Sequence, residues 1–137
     1  MTVKEYLGQY KTLVAGIGVK RKQVERLRAL VIRANAGRNS GGFNPMPYDK
    51  VGEITAEIVD LENEVNSEID RLIALRAEIK GYIALIPNAG VSLVIEMRYI
   101  NRLSFREIAD QLALDIRTIF YRHETGLEFL ESIIKIS

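Results

Sequence analysis

The chain of 137 residues contains no cysteine. Disulfides, thiolate-bound metals and a cysteine nucleophile are therefore excluded. Histidine is nearly absent too. His123 stands alone, so it makes no metal site, and a half-buried packing role is expected for it. No run of ~20 apolar residues is present to span a membrane. The first residues, Met1-Thr2-Val3-Lys4-Glu5-Tyr6, lack the apolar core of a signal peptide, so a cytoplasmic protein off the membrane is expected. No nucleophile–base pair, paired acid site, phosphate-cradling glycine loop or metal cluster can be found. Gly16-Ile17-Gly18 lacks the next glycine and the preceding strand of a dinucleotide motif. The chain reads as a non-enzyme without a cofactor.

Net charge is small, at +1, but it hides a strong asymmetry. Residues 1–38 carry nine Lys/Arg against two acids, residues 39–86 four against nine, and the remainder six against seven. Apolar content of 47% supports a core and 27% charge a solvated surface. The three prolines act as punctuation. Pro45 and Pro47 fall in the segment Ala36 to Tyr48, which has the composition of a loop, and Pro87 ends a helical pattern.

Between those marks the dominant period is helical. Val3, Tyr6, Tyr10, Leu13, Ile17, Lys20, Val24, Leu27, Val31 and Ala34 recur at alternating steps of three and four, a coiled-coil seam. Val51, Ile54, Ile58, Leu61, Val65, Glu68, Leu72, Leu75, Ile79, Tyr82 and Ile86 repeat it. The fold expected is all-α. A long antiparallel helical hairpin (residues 1–86, with a flexible loop near 36–49) precedes a C-terminal helix-turn-helix domain (87–137). Each seam has one polar member. Folding back near Phe43 puts Lys20 level with Glu68, which predicts an ion pair that fixes register. A bend is expected near Gly16–Gly18, since helical glycine costs ~1 kcal/mol. The basic run Lys20-Arg21-Lys22 with Arg26, Arg28 and Arg33 either tracks phosphates or answers the acids of the second helix, and the second reading is favoured.

After Pro87, residues 88–101 form a helix with Leu93, Val94, Met97 and Ile100 on its apolar side. Ser104 and Glu107 then make a capping box. Ile108, Ala109 and Leu112 give one apolar face, and the chain turns at Ala113-Leu114. If Ala113 needs positive φ, alanine costs roughly 1 kcal/mol there. Asp115 caps a second helix with Ile119, His123, Leu127, Leu130 and Ile134 inward, Ile116 and Phe120 at the edge, and Gly126 as a weak spot. This spacing fits a helix-turn-helix whose second helix enters the DNA major groove. The plainer alternative is a helix pair that meets no DNA. Arg117 and Tyr121, one turn apart on the outer face with Thr125, would meet base edges, an arginine there most often reading guanine. Thr118, Arg122, Arg102 and Arg106 suit backbone phosphates, beside the cap Ser104. The apolar tail through Ile136 is expected on the hairpin or on a second subunit, which leaves a homo-oligomer through the helical hairpin or the C-terminal helix open as a partner.

The stretch Leu93 to Ala109, containing Arg98-Tyr99-Ile100 and Leu103-Ser104-Phe105-Arg106-Glu107-Ile108-Ala109, resembles region 4 of sigma-70 factors, as does Asp115 to His123. Over nearly its whole length the chain also resembles small phage and prophage proteins with an N-terminal helical hairpin, grouped with ArpU-type and RinA-type late transcription regulators. The segments Asp49 to Ile54, Ile58 to Glu62 and Ile69 to Ile73 carry that likeness. The resemblance implies a promoter-binding regulator of double-stranded DNA that works with host RNA polymerase. No sigma region 2 is present, which implies an activator rather than a complete sigma factor. Two other classes stay open: a DNA-packaging protein like small terminase subunits, and a coiled-coil interaction module.

Overall fold

A computed structural model describes residues 1–39 and 47–135. The regular elements among these residues are five helices: α1 (Val3–Asn39), α2 (Tyr48–Ile83), α3 (Ala89–Tyr99), α4 (Phe105–Leu112) and α5 (Ile116–Ile133). The protein is all-α. No helix among the described residues is long and apolar enough to cross a membrane.

Both long helices bury what their period selects. All the seam positions of α1 and α2 are buried or half-buried, while Lys22, Arg26, Glu57 and Glu64 between them are exposed. The start of α1 carries a reciprocal cap that the sequence reading passed over. Glu5 N–H donates to Thr2 Oγ1 (3.1 Å) and Thr2 N–H to Glu5 Oε2 (3.4 Å). Both flanks of the expected loop are helical. α1 runs on through Ala36, Gly37, Arg38 and Asn39, and α2 begins at Tyr48; the rest of the expected loop, residues 40–46, lies outside the described residues. α1 is helical through Gly16 and Gly18. α2 stops at Ile83 rather than Ile86. Leu85 and Ile86 close a tighter turn, with N–H bonds to Tyr82 O (3.0 Å) and Ile83 O (3.1 Å). Pro87 disfavours helical backbone at the residue before it.

Packing divides the chain into two compact units, residues 14–71 and residues 1–13 with 72–137. In the first, Lys20 pairs with Glu68 and with Glu64 (3.4 Å), and Arg28 pairs with Glu62 (2.7 Å). The α2 partner number falls as the α1 number rises. The expected Lys20–Glu68 pair is formed, with the two side chains only 28% and 25% exposed. The Glu68 carboxylate holds the Lys20 ammonium above its ordinary range against the opposing effect of burial, and Glu64 adds to the rise. Among the described residues, the basic helix answers the acidic one at these two cations. Arg21, Lys22, Arg26 and Arg33 make no ion pair among the described residues.

In the second unit, Val3, Leu7, Ile79, Ile83 and Ile86 share one core with Val91, Ile95 and Tyr99 of α3 and with Leu127, Leu130 and Ile134. Leu7, which lies outside the seam, is fully buried. Beside them Tyr6 donates to Glu78 and meets Tyr82 edge-on. The C-terminal stripe thus packs on the ends of α1 and α2, while Ile136 lies outside the described residues. α3 is buried on two sides. Val91 and Ile95 face this core, and Val94 and Met97 a second one. Leu93, expected inward, is 42% exposed.

Candidate nucleic-acid interface

The second core joins Val94, Met97, Ile108, Ala109 and Ile119, with Leu103, Phe105, Leu112, Leu114 and Ile116 packed around them. α3, α4 and α5 are mutual neighbours about it. Each helix end is specified locally. Asn88 Oδ1 accepts from Val91 N–H (3.0 Å) to start α3. Ser104 starts α4 with a full capping box, Ser104 N–H to Glu107 Oε1 and Glu107 N–H to Ser104 Oγ, both 3.1 Å. The Ser104 backbone N–H and hydroxyl hold the Glu107 carboxyl below the usual carboxylate range. Ala113 ends α4 in the left-handed region, φ 53° and ψ 45°. Leu114 N–H reaches back to Ala109 O (3.0 Å), the long bond of a Schellman end. Two residues later Asp115 Oδ1 accepts from Arg117 N–H (2.8 Å) and α5 begins.

The inner face of α5 is the expected one, with two corrections. His123 is buried at 3% exposure rather than half-buried. Its Nε2 lies 2.7 Å from Tyr99 Oη, and the Phe105 ring meets it edge-on at 4.9 Å. Burial pushes the imidazole pKa down, helped by the charges of Lys4 and Arg98 and opposed by Glu124. Burial also pushes the Tyr99 phenol up to about 12. Gly126 is no weak spot. A Cβ there would come within 2.5 Å of Ile95 Cγ1 and 3.1 Å of Val91 Cγ1, so glycine is what lets α5 lie against α3.

On the opposite face Arg117 and Tyr121 are exposed, Tyr121 at 73%. They stand one turn apart at the start of α5. Thr118 and Thr125 are half-buried along one edge, and the Thr125 hydroxyl donates back to Tyr121 O (2.9 Å). Arg122 is set apart from this group. Its guanidinium lies so close to Gly90, at the start of α3, that a Cβ there would sit 2.9 Å from Nη1. Arg106 is exposed in the first turn of α4. Arg102, exposed between α3 and α4, has a φ of 60°. Sequence reasoning missed Arg98, which donates to Leu103 O (3.0 Å) and stands 4.3 Å over the Phe105 ring. An arginine six residues before a helix cap gives no periodic signal of such a role. Among the described residues no cluster of three or more His, Asp or Glu could hold a metal ion.

No curated protein and no solved structure matches the chain. A family described as protein of unknown function (DUF1492) matches residues 40–130, from before α2 to near the end of α5. Well over half of the chain lies within that match, and the protein belongs to the DUF1492 family.

Proposed function

We propose that this protein is a sequence-specific DNA-binding transcriptional regulator of phage or prophage origin, cytoplasmic and not an enzyme. In this reading an antiparallel helical hairpin (1–86) carries a sigma-70 region 4-like helix-turn-helix (87–137). α5 lies in the major groove, and promoter DNA and host RNA polymerase are the partners. One observation carries the reading. α5 buries Ile119, His123 and Leu127 on one side and presents solvent-exposed Arg117 and Tyr121 from its first turns on the other. A short turn with a left-handed residue holds it against α4. Arginine at that point of a recognition helix has the fork to bond two acceptors of guanine. Ser104, Arg102 and Arg106 at the start of α4 supply donors and charge for backbone phosphates. Thr118, Thr125 and Arg122 flank the reading face.

The test is a binding titration on duplex fragments from the protein's own genomic neighbourhood at several salt concentrations. Wild type should prefer one fragment and lose affinity steeply with salt. Arg117→Ala should weaken that fragment by ~1–3 kcal/mol and leave weaker, non-preferring binding elsewhere. No binding to any fragment at low salt would overturn the reading.

A further inference from the structure

We propose that a cleft between the start of α1 and the end of α3 holds a DNA backbone phosphodiester, outside the bases read by α5; this rests on the function proposed above. The cleft, of about 170 Å³, is lined by Lys4, Gly8, Lys11, Arg98, Tyr99 and Arg102. Four of these six are cations and none is an acid. Lys4, Lys11 and Arg102 are exposed and form no ion pair or hydrogen bond among the described residues. Such a set of like charges is destabilising alone and is relieved by an anion. Its field already reaches inward, since Lys4 and Arg98 both disfavour charge on buried His123.

Two backbone features point the same way. Gly8 weakens α1 without a packing reason, because a Cβ there would meet nothing within 4 Å. It leaves the floor between Lys4 and Lys11 open to close approach. Arg102 is held at a φ of 60°, a conformation that glycine would take without strain but without a guanidinium. Arg98 is fixed by Leu103 O and Phe105 and keeps other N–H donors for a ligand. Phe105 is the first residue of α4. The cleft therefore continues the backbone-binding side that Ser104 and Arg106 begin.

The experiment compares wild type, Lys4→Gln/Lys11→Gln and Arg117→Ala on the same duplex fragments across a salt series. Thermal unfolding of the lysine variant should come no lower than wild type, since neither side chain has an internal partner and the loss of two like charges relieves repulsion. Its affinity should fall by one common factor on all fragments, and its log–log salt slope should shrink by about 2. An unchanged slope and affinity, with Arg117→Ala still losing its preference, would overturn the cleft and leave the recognition helix standing. Wild type that binds no duplex at low salt would overturn both.

Discussion

Ala113 holds φ 53° where a side chain costs ~1–2 kcal/mol relative to right-handed backbone. Glycine removes that strain but adds unfolded-state freedom worth ~0.4–1 kcal/mol. Ala113→Gly should therefore raise stability by about 0.5–1 kcal/mol, read as a higher urea midpoint with an unchanged m value. Gly126 is the opposite case. Alanine is the better helix former by ~1 kcal/mol, but its methyl would run into buried Ile95 at 2.5 Å. Overpacking of that kind costs ~1–3 kcal/mol, and a stiff β-branched neighbour cannot easily retreat. Gly126→Ala should lower stability by about 1–2 kcal/mol in the same assay. His123 links stability to pH. Its folded pKa lies below the ordinary 6.5, so the unfolded chain binds the extra proton first on acidification. The stabilisation from neutral His123 is complete above pH 6.5 and is lost as pH falls below it. The melting temperature should drop on going from pH 7 to 5.5, and His123→Gln should flatten that drop. An equal drop in the variant would contradict this account of the buried imidazole.

At the scale of elements, Lys20 and Glu68 interrupt two otherwise apolar seams, and Glu68 Oε2 is already buried without a partner. Lys20→Met should leave that carboxylate uncompensated and lower the melting temperature. Lys20→Met/Glu68→Leu should recover most of the loss, because apolar residues can replace a desolvated pair at little cost. A double variant no more stable than Lys20→Met would contradict this account of the buried carboxylate. This pair was legible in the sequence because two helices of equal period carry one polar exception each, at matching distance from the turn. The caps at Ser104 and Asp115 were legible for a similar reason, since a cap is a local pattern. What composition hid was the extent of α1 beyond Ala36 and the early end of α2. Gly37 and Asn39 lower helix propensity without forbidding the helix, whereas Pro87 acts one turn ahead of itself. Gly126 was misread because its role depends on Ile95, thirty-one residues away in sequence. Nothing local to α5 announces a close helix crossing.

For the whole molecule, charge is distributed by segment rather than by net value. The basic excess lies in residues 1–38 and the acidic excess in 39–86. Among the described residues, Lys20 and Arg28 are the α1 cations paired with α2 acids. The all-α class and the face of α5 could be read from periodicity. The convergence of Lys4 and Lys11 with Arg98 and Arg102 could not, because it joins segments some ninety residues apart. In the proposed function, α5 reads base sequence through Arg117. Selection of bound duplexes from a random pool, by wild type and by Arg117→Ala, tests it most directly. Wild type should enrich one motif containing a guanine, and Arg117→Ala should relax the preference at that guanine alone. A pool that stays random after wild-type selection would contradict it.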